Sequence, residues 1–195
     1  MGYVRKIGQD IANLMGRDFK YEFYVFQDDS LNAFALPGGK VFVSTGTILA
    51  CNSEAEFAGL LAHEISHAVL SHGLQKLVKA NLLAKLSQVI PLGNLFSSVM
   101  SSEYSLESER QSDMVSTRVI ASAGYAADGL HNLMVRLLEQ KRQSTFPYLS
   151  IHPATPERVS YLEKLIQRNG YNRYAFEGLE KHAAIQKLLK QLLGA

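Results

Sequence analysis

Two histidines four positions apart, with a glutamate directly after the first, are the part of this sequence best suited to chemistry. They lie in His63-Glu64-Ile65-Ser66-His67. On a helix, four residues advance by about 400°, so both imidazoles leave one face a turn apart. Two nitrogen donors so placed can take adjacent corners of a zinc tetrahedron. Glu64 lies about 100° round, close enough to reach a water on the metal without ligating it. Zinc brings the pKa of such a water from about 15.7 to about 7, and Glu64 can take the proton. The expected chemistry is metal-assisted hydrolysis, with His63 and His67 as zinc ligands and Glu64 as base. The plainer alternative is a pair of histidines and a glutamate on a solvated helix face.

A zinc site needs a third protein ligand, and near neighbours do not provide it. The position six residues after His67, where metzincins carry histidine, is Gly73. The position nineteen after, where thermolysin-like enzymes carry glutamate, is Leu86. On a continuing helix His72 would point about 140° away from His67, off the metal face. The ligand must come from a distant segment, and Glu103-Tyr104-Ser105-Leu106-Glu107-Ser108-Glu109-Arg110-Gln111-Ser112-Asp113 is the candidate. Glu109 and Asp113 are one turn apart, so one carboxylate could bind metal while the next orients a histidine behind it. By spacing alone any of Glu103, Glu107 and Glu109 could serve, and an acidic solvated face remains the alternative.

The elements that must hold these residues can be read from periodicity and punctuation. Ser53 with Glu56 forms a capping box opening the His63–His67 helix, and Gly73 is expected to stop it. Phe57, Leu60, Leu61, Ala68 and Val69 surround the motif, which points to a buried central helix. Buried imidazoles and a carboxylate need partners, and a metal satisfies all three. Residues 3–16 read as an amphipathic helix, then 21–27, 33–36 and 40–44 as strands, the last two a hairpin around Pro37-Gly38-Gly39. Further helices are expected at about 74–89, 103–122, 127–142, 156–168 and 179–193, with Thr155-Pro156 starting the penultimate one. The expected fold is α+β, mostly helical with a small antiparallel sheet before the zinc-binding helix, in one domain over 1–195.

Bulk properties exclude some classes. The 195 residues carry 20 basic and 18 acidic groups, a formal charge of +2, with no footprint for nucleic acid. Cys51 is alone, so no intrachain disulfide forms. The opening MGYVRKIGQD has no apolar h-region, and no stretch reaches the roughly 18 apolar residues of a membrane helix. The chain as given is expected to be soluble. Residues 74–102 are rather apolar for a connector, and read either as a core helix plus loop or as a cover over the cleft. A third reading is a surface for a membrane or an envelope-complex partner.

H-E-x-x-H followed about forty residues later by E-x-x-x-D resembles the gluzincin metallopeptidases of family M48, the group with HtpX, BepA and the CAAX prenyl protease. The likeness extends to Asn32-Ala33-Phe34-Ala35-Leu36-Pro37-Gly38-Gly39, to Val41-Phe42-Val43 and Gly46, to Gly124-Tyr125, and to His152-Pro153 with Glu157-Arg158. It spans roughly residues 3–166. It implies a zincin-like fold, one zinc per chain, Glu109 as third ligand with Asp113 behind it, and endopeptidase activity on extended or misfolded protein. It also implies a bacterial periplasmic, cell-envelope or membrane-associated setting. Leu106 stands where many relatives have arginine, and Ser112 where alanine is usual. Many relatives also carry a histidine at the place of His72, for which only a structural hydrogen bond is expected.

Two further expectations concern the substrate. In zincins an edge strand beside the cleft pairs with an extended peptide, a role open to Asn32, Ala33, Phe34 and Ala35, or to the partner strand 40–44. The alternative is an ordinary hairpin. Pro153 restrains His152 to an extended conformation that can present its ring to a cleft. There it would stabilise an oxyanion, or occupy zinc's fourth position and hold the resting enzyme shut. A surface-loop histidine is the plainer reading. The rivals to a protease are a zinc-bearing chaperone or adaptor with a closed cleft, and a hydrolase acting on non-peptide bonds.

Overall fold

The computed structural model describes residues 2–16, 20–87, 102–140 and 147–194. Its helices are α1 (Gly2–Met15), α2 (Thr45–Ala50), α3 (Glu54–Val69), α4 (His72–Ser87), α5 (Leu106–Ser122), α6 (Gly129–Gln140), α7 (Pro147–Ile151), α8 (Pro156–Asn169) and α9 (Leu179–Leu193). Strands β1 (Glu22–Phe26), β2 (Ala33–Leu36) and β3 (Lys40–Ser44) form one sheet in the order β1-β3-β2. The expected α+β character holds. No described helix is long and apolar enough to cross a membrane.

Everything is arranged around α3. Every residue from Glu54 to His67 is buried, as befits a helix with apolar residues on all sides. The Ser53 hydroxyl accepts the amide of Glu56 at 3.0 Å, and the Glu56 carboxylate accepts the amide of Asn52 at 2.7 Å. Those bonds satisfy otherwise orphaned donors and fix the helix start. Helices α1, α5 and α6 and strand β2 pack round it. At the crossing with α6 a side chain on Gly59 would put Cβ 2.7 Å from the Leu130 amide, and one on Gly129 would overlap the Ala55 carbonyl. The two backbones touch there, which only glycine permits.

The hairpin β2–β3 is antiparallel as expected, but β1 runs parallel to β3, so the sheet is mixed rather than antiparallel. Asp28-Asp29 does turn the chain, but it does not fold β2 back onto β1. The Asp28 carbonyl accepts the Gly46 amide at 2.8 Å and the Thr45 hydroxyl at 2.9 Å, which ties the end of β1 to the end of β3. That anchorage forces the parallel register and leaves β2 on the edge.

Several boundaries differ from expectation. Gly73 does not stop the zinc-motif helix; α3 ends at Val69, Ser71 takes a left-handed φ of 58°, and Gly73 lies in the first turn of α4. Helix α5 begins at Leu106 behind the N-cap Ser105, which leaves Glu103 outside it. Short helices α2 and α7 were not expected. Of the 74–102 stretch, residues 74–87 form α4, while 88–101 lie outside the described residues.

Candidate metal centre

On α3, His63 and His67 point their Nε2 atoms to one place, 3.1 Å apart and wholly buried. Helix α5, packed against α3, delivers Glu109 to the same place. Its Oε1 lies 3.2 Å from His67 Nε2 and its Oε2 lies 3.4 Å from His63 Nε2. Glu103 and Glu107 are exposed, so burial separates the three glutamates that spacing could not. His152, at the end of α7, brings Nδ1 to 2.9 Å from Glu109 Oε1 and 3.4 Å from His63 Nε2.

These four residues form a buried group able to hold a metal ion. A tetrahedron with metal bonds of about 2.0–2.1 Å has edges of about 3.3 Å. Five donor separations of 2.9 to 3.4 Å are near that size, and all four donors lie within 4.8 Å of one another. The donor set of three imidazoles and one carboxylate suits zinc.

Glu64 is buried beside the group, and its Oε1 has no hydrogen-bond partner among the described residues. His152 Nε2 is likewise unpartnered and lies 3.6 Å from Glu64 Oε1. Burial raises the Glu64 pKa above the ordinary carboxylate value, the His152 and His63 charges opposing it. Burial would also raise Glu109, but the neighbouring His152 and His63 charges hold it well below the usual range.

Asp113 stands 3.1 Å from His63 Nδ1, on the ring edge away from the donor group. Arg158 then grips Asp113 twice, Nε to Oδ2 at 2.9 Å and a terminal nitrogen to Oδ1 at 2.7 Å. Its other terminal nitrogen meets Glu109 Oε2 at 2.7 Å and donates to the Pro153 carbonyl at 2.8 Å. One buried guanidinium thus joins both carboxylates and the loop carrying His152. Arg158 entered the sequence reading only as part of a pattern.

His72 stays out of the donor group and makes hydrogen bonds, as expected of it, though it does so behind His67 rather than from a continuing helix. Because α3 breaks at Ser71, the chain folds back and sets His72 Nδ1 3.1 Å from His67 Nδ1. The donor order there follows from the far end. Gln111 donates to the Glu107 carboxylate at 2.9 Å, which leaves its carbonyl oxygen to face His72 Nε2 at 3.0 Å. That oxygen only accepts, so neutral His72 carries its proton on Nε2 and offers Nδ1 as acceptor. His67 therefore donates from Nδ1 and keeps the Nε2 lone pair for a metal. Burial lowers the His72 pKa, which favours this neutral form.

Two aromatic rings complete the wall. Tyr104 lies over His67 with centroids 4.0 Å apart, and Tyr148 stacks on His152 at 4.7 Å. Neither carries a role legible in the sequence, although Tyr104 lies in the 103–113 segment that supplies Glu109.

The expected substrate residues lie on edge strand β2 and just before it. Asn32 precedes the strand, with its side-chain oxygen buried and unpartnered among the described residues. Ala33 and Ala35 are buried toward α3, while Phe34 and Leu36 are half-buried on the other face. Partner strand β3 lies between β1 and β2, so it offers no edge.

The chain matches Peptidase family M48 over residues 1–166. It is 26% identical over 174 residues to the mitochondrial metalloendopeptidase OMA1 of Schizosaccharomyces pombe, covering 83% of this chain and 52% of that protein. It is also 26% identical over 180 residues to the beta-barrel assembly-enhancing protease of Yersinia pestis, covering 81% and 37%. With the OMA1 of Arabidopsis thaliana the identity is 30% over 149 residues, covering 73% and 31%. The chain thus spans about half or less of the length of these curated relatives. The His63, Glu64, His67 and Glu109 constellation lies within the matched segment, and the chain belongs to peptidase family M48.

Proposed function

We propose that this domain is a zinc-dependent endopeptidase cutting internal bonds of extended or misfolded protein segments. His63, His67 and Glu109 would hold one zinc ion. When bound, zinc supplies a Lewis acid that makes water acidic near neutral pH and polarises a carbonyl. Glu64 takes the proton of the attacking water and returns it to the leaving amine. Asp113 and His72 orient the two histidines. His152, with Nε2 unpartnered beside Glu64, donates to the oxygen on which charge develops.

The observation that carries this reading is the buried Glu64 carboxylate, 3.6 Å from His152 in the metal-binding group, since a purely structural metal site needs no base. A second reading has support as well. His152 Nδ1 sits among the ligand atoms and can fill a fourth corner, which favours a resting state that is closed and weakly proteolytic. Cleavage of denatured casein, with and without chelator, separates the two. Chelator-sensitive cleavage supports the protease, and zinc-loaded protein that binds casein without cutting supports the closed state.

The partner is a protein or peptide rather than nucleic acid. Leu74, Val78 and Leu82 are exposed one turn apart along α4, which supports contact with a membrane or an envelope-complex partner on that helix. A periplasmic, cell-envelope or membrane-associated setting is in keeping with relatives named for mitochondria and for β-barrel assembly.

A further inference from the structure

We infer that the hollow between the β2–β3 turn and the α3–α4 corner is a subsite for one compact apolar side chain of the substrate. This rests on the proteolytic reading and names what that site selects. The hollow has a volume of about 130 Å³. Ala35 and Pro37 of the hairpin line it together with His67 and Ala68 of α3 and Gly73 and Leu74 of α4. An apolar cavity of about 150 Å³ holds one benzene. This one therefore admits a valine, leucine or methionine side chain and excludes an indole.

Its emptiness has a sequence cause. A Cβ at Gly73 would sit 3.6 Å from the Pro37 ring and 3.7 Å from the Tyr104 hydroxyl, so the space exists because residue 73 has no side chain. Ala35 and Ala68 keep their walls thin in the same way.

The hollow also lies where a paired peptide would need it. The Ser44 amide donates to the Asn32 carbonyl at 2.9 Å, which sets the alternation of the hairpin ladder. Phe34 and Leu36 then exchange bonds with β3, while the main-chain groups of Ala33 and Ala35 point outward, to an edge no other described strand covers. A peptide added there bonds to Ala33 and Ala35. Its residue opposite Ala35 projects to the same sheet face as Ala35, which is the face of α3 and the hollow. A charged or amide side chain placed there would lose water with little to replace it, since Ser71 supplies the hollow's one side-chain hydroxyl.

The test is to map cut sites by mass spectrometry after zinc-loaded protein digests reduced, alkylated serum albumin and casein. Valine, leucine, isoleucine or methionine should be enriched at one fixed position from the scissile bond, with tryptophan and charged residues depleted. Ala68→Leu and Gly73→Ala each narrow the hollow at helical positions. Each should lower the ratio of kcat/KM for a leucine peptide over its alanine counterpart by about 10-fold or more. Wild-type cutting without preference at any position, or an unchanged ratio in whichever variants keep the wild-type melting temperature, overturns the subsite. Loss of all chelator-sensitive cleavage in the wild type instead refutes the proteolytic reading, and the subsite with it.

Discussion

His67 and His72 meet Nδ1 to Nδ1, 3.1 Å apart, across the corner where α3 ends and α4 begins. With Gln111 fixing the proton of His72 on Nε2, the contact sets the tautomer that leaves His67 Nε2 free. His72→Phe keeps the ring volume but removes the acceptor, and should weaken zinc binding by about 10- to 100-fold. His72→Asn puts a carbonyl oxygen near the lost nitrogen and should recover most of the affinity. Competition against a fluorescent chelator measures both. Equal affinity of the Phe variant and the wild type would show that the contact orients nothing.

The third ligand is tested by comparing three glutamates. Glu109→Ala should sharply lower zinc occupancy after dialysis, as read by elemental analysis. Glu103→Ala and Glu107→Ala, at exposed positions, should leave it near wild type. Occupancy that depends on Glu107 instead would contradict the placement of α5.

Arg158 contacts two buried carboxylates at once. Arg158→Met leaves Asp113 without its buried cation, a loss of about 3–5 kcal/mol by urea denaturation of the metal-free protein. Asp113→Asn keeps the shape and should cost zinc affinity about 10- to 100-fold. A Met variant within about 1 kcal/mol of wild type would mean that solvent reaches the pair.

His152→Ala separates the two roles open to that histidine. A fall in kcat with metal content retained identifies oxyanion stabilisation. A rise identifies a removed plug. Turnover within about twofold of wild type, on a substrate that the Glu64→Gln variant does not cut, refutes both.

What could be read before folding was local. His63, Glu64 and His67 are set by one helical turn, and Ser53-x-x-Glu56 and Thr155-Pro156 announced their helix starts correctly. Glu109 could not be told from Glu103 and Glu107 by spacing, because burial distinguishes them and burial depends on how α5 packs on α3. His72 makes the structural hydrogen bond expected of it, but its seat behind His67 depends on the break after Val69, where a helix running on to Gly73 was expected. Nothing in Leu70-Ser71 announces a left-handed serine. The parallel partner of β1, the grip of Arg158 and the stacking of Tyr148 on His152 are contacts between distant segments, which neither period nor punctuation encodes. Helices α2 and α7, of six and five residues, are too short to show a period.

The most direct measurement is made on Glu64→Gln. The side chain is nearly isosteric and is not a ligand, so the variant should retain one zinc per chain while losing proteolysis of denatured casein. Zinc content and cleavage rate are read on the same preparation beside wild type. Full zinc with cleavage reduced by at least about 100-fold is the expected result. Full zinc with wild-type cleavage would contradict the assignment of Glu64 as the base.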